Sequence, residues 1–197
     1  MNENVFNNMA NNYDNDDRKQ LSDIIRLEIS KYIPGDCSNS ILLDYGGGTG
    51  LVSLPIAEKF KNVIIADTSK SMLEVALSKI NSGNIFNASV SLVDDTILLP
   101  SADIVIISLV LIHIPNIEAI LKKIYEILKP NGKIIIVDFD KNEKVNHPKL
   151  HNGFQHKELK SILEKEEFKN ITIENFYSAN NLFMKEDATL FIAQAEK

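Results

Sequence analysis

Leu42-Leu43-Asp44-Tyr45-Gly46-Gly47-Gly48-Thr49-Gly50 is the stretch that decides the fold. An apolar run that ends in an acid and passes into clustered glycines reads as a buried strand giving way to a tight loop. Glycine adopts torsions other residues avoid and lets the main chain approach a ligand closely. Residues 51–60 follow with helical patterning. A helix is predicted there, with Pro55 early enough to be tolerated near the first turn. Free amide groups at such a helix start would face a ligand's negative or polar end.

Outward from this loop, strands and helices alternate. Strands are predicted at 41–45, 63–66, 89–93, 104–108 and 133–139, with helices at 69–80 and 116–128 between them. Asn116 caps the second of these, and Pro130-Asn131-Gly132 stops it. The unbroken apolar run at 104–108 suits a strand buried on both faces. A helix at 155–166 and strands at 171–177 and 189–195 close the chain. The last two strands have no crossover helix between them and should pair antiparallel. The pattern predicts a Rossmann-like α/β three-layer sandwich, with a mostly parallel seven-stranded sheet and an antiparallel last strand. Residues 1–17 are polar and read as loose, and a helix is expected at 18–33, ended by Pro34-Gly35. The expected organisation is an N-terminal tail and helix over 1–35, a possible lid, and a ligand-binding domain over 36–197.

In such sheets the ligand sits at the carboxyl ends of the strands, where strand order reverses. Asp67 ends the second predicted strand, at the spacing of an acid that accepts hydrogen bonds from a ribose diol. A dinucleotide site wants G-x-G-x-x-G. Counted from Gly46 its last glycine falls on Leu51, and counted from Gly48 on Ser53. The spacing present is G-x-G-x-G, which favours a single-nucleoside ligand over a nicotinamide or flavin.

The loop resembles motif I of the class I S-adenosylmethionine-dependent methyltransferases, L-D-x-G-C-G-T-G, with Gly47 in place of the usual Cys. Four further segments follow in the family's order. Ile65-Ala66-Asp67-Thr68-Ser69-Lys70-Ser71-Met72-Leu73 resembles V-D-x-S-x-x-M-L, and Asp95-Thr96-Ile97-Leu98-Leu99-Pro100 resembles D-A-x-x-L-P. The segment from Asp103 to Ser108, with Leu111-Ile112-His113-Ile114, resembles F-D-V-V-x-x-S…L-H-H-I. Leu128-Lys129-Pro130-Asn131-Gly132 resembles the L-K-P-G-G turn.

The resemblance implies S-adenosyl-L-methionine as cofactor and assigns residues to it. Gly46, Gly48 and Gly50 would line the methionine and ribose side, and Asp44 would order the loop near the methionine amino group. Asp67 would hold the ribose hydroxyls, with Thr68 beside it. Met72 would pack on the adenine, though it reads equally as a core residue. Asp95 would bind the adenine amino group, with Thr96 adjacent, and Ser108 would lie under the sulfonium. Tyr13 would form a lid over the cofactor or belong to a mobile tail.

Methyl transfer from a sulfonium needs positioning and exclusion of water, and a base only where the acceptor must lose a proton. The candidates for that base are His113, just past the fourth strand, and His147 and His151, in the loop after the fifth. Some small family members carry a similar F-H…H-x-G-F segment there, with Y-D and an Arg near the N-terminus, here Tyr13-Asp14 and Arg18. Each histidine also reads as a structural residue beside an apolar strand. His156 reads as exposed near a helix start. Without accompanying cysteines or tight ligand spacing, no metal site is expected.

Composition narrows the remaining classes. The chain has 197 residues, 44% of them hydrophobic, which suits one globular domain. A net charge of -6 without a Lys/Arg cluster argues against a nucleic-acid partner. Cys37 is a lone cysteine, read as an inert loop thiol; no disulfide is possible within the chain, which fits a reducing, cytoplasmic setting. The longest apolar run, 104–114, falls short of the roughly 20 residues a membrane helix needs. The expected substrate is a small molecule. The competing reading is a non-catalytic cofactor-binding regulatory or partner module, in which the glycine loop and Asp67 would look the same.

Overall fold

The computed structural model describes residues 3–94 and 98–197. Seven strands form one sheet in the order β3-β2-β1-β4-β5-β7-β6. They are β1 (Cys37–Tyr45), β2 (Phe60–Asp67), β3 (Ala88–Leu92), β4 (Ala102–Ser108), β5 (Leu128–Phe139), β6 (Lys169–Phe183) and β7 (Glu186–Glu196). The first five pair parallel, and β7 runs antiparallel to both β5 and β6. Ile104, Val105, Ile106 and Ile107 of β4 are all buried, as the uninterrupted apolar run requires. Strand order reverses at the β1–β4 pair, so the crevice at their carboxyl ends is where such a sheet takes a ligand.

Helices α1 (Glu3–Met9), α2 (Asp16–Ser30), α3 (Lys70–Ser82), α4 (Ile117–Ile127) and α5 (His156–Lys165) complete the chain with short 3₁₀ turns. Their starts follow the side-chain chemistry. Asn15, Ser69 and Asn116 each accept a hydrogen bond from a backbone amide of the first turn of α2, α3 and α4. Ile25 and Ile29 bury one stripe of α2 in the main core, and Leu73, Ala76 and Ile80 of α3 pack with Ile65 of β2.

Four expectations are corrected. Residues 51–60 form no α-helix: turns lead into a 3₁₀ segment, Leu54–Lys59. Pro55 has no amide to give the Leu51 carbonyl, and its ring crowds that carbonyl, so an α-helix begun at Leu51 cannot propagate. The glycine loop therefore lacks the helix N-terminus that sequence patterning gave it. The N-terminal stretch is not loose, since α1 and the turn Ala10–Asn12 lie against the body, with Ala10 buried. Cys37 starts β1 instead of sitting in a loop, and burial raises its thiol pKa, which keeps it unreactive. Strands β6 and β7 reach well beyond 171–177 and 189–195. Met184 and Lys185, both at positive φ, join them in a tight hairpin.

The segment after β5 returns to the sheet where Asp140 bridges Phe154. Gly153 makes this return possible: at φ +93 a Cβ would lie 2.2 Å from the Asp140 carbonyl oxygen. A backbone atom cannot swing aside. Gly153→Ala should lower the unfolding free energy by about 1–3 kcal/mol, read from denaturant melts; an unchanged midpoint would contradict this placement.

Candidate active site

The carboxyl ends of β1 and β4 open into a cleft. Its floor is the glycine loop, with Gly46 and Gly48 at positive φ. A Cβ on Gly46 would lie 2.5 Å from Val110 Cγ2, so the loop can approach the β4 exit only without a side chain. At Gly48 a Cβ would meet nothing within 4 Å, because that side faces the open cleft.

Two acids stand at the ends of adjacent strands. Asp67 closes β2 and ties the loop to α3: Oδ2 accepts from Gly48 N at 2.9 Å and Oδ1 from Ser69 N at 2.8 Å. Burial raises its pKa, opposed by these amides and by that of Thr68. Asp44 lies deeper. Its Oδ2 is buried and has no hydrogen-bond partner among the described residues. Burial pushes its pKa up to about 6, with the nearby Ser53 hydroxyl opposing and Asp67 reinforcing the shift. A buried carboxylate oxygen without a partner among the described residues, on the wall of the cleft, fits a ligand that brings a cation. The methionine ammonium of S-adenosylmethionine is such a group.

The N-terminal segment covers the cleft. Phe6 stands edge-on to the His113 ring, with centroids 5.2 Å apart. Asn7 Oδ1 accepts from Ser69 Oγ at 2.7 Å and from Ser71 N at 3.3 Å. Thr49 Oγ1 donates to Asp14 Oδ1 at 2.6 Å, and Lys79 pairs with the same carboxylate. Tyr13 lines the cleft under the Arg18 guanidinium, 4.2 Å from its ring centroid.

Gly46, Gly48, Asp67, Met72, Ser108, Tyr13 and His113 all line one part of the cleft, and Asp44 lines its neighbouring lobe. Thr68 contributes through its amide to Asp67. Gly50 departs from expectation. It is absent from the cleft lining and packs inward, where a Cβ would lie 2.7 Å from Ile65 Cδ1 and 2.8 Å from Leu54. Asp95 and Thr96 lie outside the described residues.

The histidines separate. Burial holds His113 down at about 4, so its imidazole is neutral at physiological pH and can accept a proton. His151 lines a second cavity that adjoins the first at His113. Its Nε2 donates to Ile114 O at 2.8 Å, and its backbone amide donates to Ile112 O at 2.9 Å. It thus staples the loop after β5 to the 3₁₀ turn Leu111–His113. His147 Nδ1 accepts from Lys149 N at 3.2 Å, and His147 adds to the lowering of the His113 pKa. His156 begins α5 and contacts Asn175 Oδ1 at 3.0 Å.

Several residues at the site were missed in the sequence. Phe6 and Asn7 sat in a segment read as loose. Leu109 lines the cleft at φ 56, an uncommon torsion for a bulky residue. Asp138, buried at the end of β5, accepts from the amides of Leu111, Ile112 and Phe139. It caps the turn carrying His113, whose own preceding residue, Val110, makes no side-chain cap. Burial pushes Asp138 up to about 7.

A profile of methyltransferase domains matches residues 13–182. The chain belongs to this family. Its fold is that of S-adenosylmethionine-dependent methyltransferases of known structure. The chain is 31% identical over 163 residues to the ubiquinone/menaquinone biosynthesis C-methyltransferase UbiE of Hydrogenovibrio crunogenus, covering 76% of this chain and 61% of that protein. It thus spans about 61% of that relative's length. Among solved structures, the phosphoethanolamine N-methyltransferase 2 of Haemonchus contortus in complex with S-adenosyl-L-methionine shares the fold at TM-score 0.73. The two are 19% identical, with 87% of this chain and 52% of that one covered. A SAM-dependent methyltransferase of Aquifex aeolicus matches at TM-score 0.71 and 19% identity, over 96% of this chain and 97% of that one. No helix among the described residues is long and apolar enough to cross a membrane.

Without ligand, Asp44 destabilises the fold when ionised. Its unfolded pKa is near 3.9, so the unfolded chain loses this proton first as pH rises. Stability should fall from about pH 4 to about 6 on its account and then level off. Asp44→Asn should raise stability at pH 7 by about 2–3 kcal/mol and flatten that slope, measured by ligand-free thermal melts. An equal or lower stability at pH 7 would contradict the burial of an uncompensated charge.

Proposed function

We propose that the chain transfers the methyl group of S-adenosylmethionine to a small molecule that approaches between the Leu111–His113 turn and the loop after β5. The observation that carries this reading is the position of His113, which lines both the cofactor cleft and the second cavity. When bound, the cofactor supplies a methyl group already activated on a sulfonium.

The chain's residues have the following work in this reading. Asp44 takes the methionine ammonium, and Asp67 the ribose hydroxyls. Met72 forms the adenine side, and Ser108 underlies the sulfonium end. Phe6 and Tyr13 close the N-terminal segment over the cleft and keep water out, which raises the share of the barrier met by positioning. His113 accepts the proton of an O–H or N–H acceptor, or orients the acceptor where no proton needs removal. Asp138 and His151 hold the turn beneath it from two sides. His151 keeps only its Nδ1 for such chemistry, and the Nδ1 of His147 is taken up by the Lys149 amide. The relatives named as C-methyltransferases make an activated ring carbon the first acceptor type to test.

S-adenosylhomocysteine release across a panel of small phenols, amines and acids tests the activity. On an acceptor so found, His113→Ala should lower turnover by about 10²–10⁴ while S-adenosylhomocysteine affinity stays near wild type. With His113 titrating at about 4, the rate should show no His113 inflection near pH 6.5. Full turnover in the variant would remove His113 from the reaction and leave His147, His151 or positioning alone.

A further inference from the structure

The second cavity, about 270 Å³ in volume, is small and chemically one-sided. Its polar lining is His113, Lys149 and His151, and the rest is apolar, with Ile112, Leu150 and two prolines. No carboxylate lines it, in a chain with 27 acidic and 21 basic residues. Among the described residues Lys149 Nζ has neither an ion pair nor a hydrogen bond, which leaves its charge free to face the cavity. The other nitrogens cannot replace it. His151 spends its Nε2 proton on Ile114 O, and His113 is neutral at physiological pH.

We propose that this cavity binds the methyl acceptor and selects a small molecule in which a short apolar or aromatic body carries an anionic group, carboxylate or phosphate, held by Lys149. The inference rests on the methyl-transfer reading above and names the substrate class of that same site. The anion pairs with the cavity's one cation, the body packs on Ile112 and Leu150, and the reacting atom reaches His113 at the border with the cofactor cleft. Cationic acceptors find no counter-charge there. A charge-assisted bond at a partly enclosed site discriminates more strongly than a neutral one.

The test loads the protein with S-adenosylhomocysteine and follows the imidazole C–H signals of His113 and His151 by NMR. Benzoate, phenyl phosphate, benzamide and benzylamine are titrated in turn at low salt. Benzoate or phenyl phosphate should bind about tenfold or more tightly than benzamide, and benzylamine should not bind. The tighter of the two anions tells carboxylate from phosphate. Lys149→Glu should abolish the preference and Lys149→Arg should keep it. Benzamide or benzylamine binding as tightly as the anions, no response to any probe, or an anion preference that survives Lys149→Glu would each overturn the inference. Calorimetry with S-adenosylhomocysteine separates the two failures. If it does not bind, the methyl-transfer reading falls and takes this inference with it; if it binds while the anions show no preference, only the acceptor class falls.

Discussion

A carboxylate buried at the carboxyl end of β1, with one oxygen that has no hydrogen-bond partner among the described residues, is the constraint around which the site is arranged. An isolated charge in such a place costs free energy unless a partner arrives. The chain does not relieve the cost from within. Its basic groups near the cleft are engaged elsewhere, Lys79 with Asp14 and the Thr49 carbonyl, and Arg18 with the Tyr13 ring and carbonyl. The glycine loop curls past Asp44 so closely that a Cβ on Gly47 would stand 2.6 Å from its carboxylate. The loop and the acid thus form one feature: a strained turn wrapped around a negative charge, open only on the ligand side.

The rest of the site converges on this point. Asp67 spreads its carboxylate over the loop and the start of α3, so one acid fixes both pieces of backbone at the cleft. The segment carrying His113 has no cap of its own and is fixed from afar, by Asp138 beneath it and by the His151 staple from the loop after β5. The N-terminal segment closes the remaining side through Phe6 and Asn7 of α1 and through Asp14 before α2. Three segments distant in sequence therefore meet at the border between cofactor cleft and second cavity. A fault in any one of them would loosen the geometry without touching the chemistry.

What was legible in the sequence was local. The apolar runs of β1, β2, β4 and β5 report burial directly, and glycines beside Asp44 and an acid ending β2 mark the ligand crevice without tertiary information. Asn116 was read as a cap because its bond to Ala119 N spans three residues. The failures have physical causes. Pro55 looked tolerable by position, but the short segment around it had no spare residues in which to begin an α-helix beyond the proline. The first helix was missed because its anchors lie far along the chain: Asn7 meets Ser69 62 residues away. The His151 bond to Ile114 O, 37 residues back, was not legible either, because only folding brings the two together. Asp138 drew no reading in the sequence, because only folding places the Leu111 and Ile112 amides over it. Gly50 shared a motif with Gly46 and Gly48, yet the turn directs it into the core.

The central claim is that Asp44 is an acid kept unpaired for the methionine ammonium. Calorimetry with two ligands against wild type and Asp44→Asn tests it most directly: S-adenosylhomocysteine, which carries the amino group, and methylthioadenosine, which keeps the nucleoside and lacks it. The account predicts that Asp44→Asn weakens S-adenosylhomocysteine by about tenfold or more, the worth of a charge-assisted bond, and leaves methylthioadenosine nearly unchanged. Equal losses for both ligands, or none for either, would contradict it.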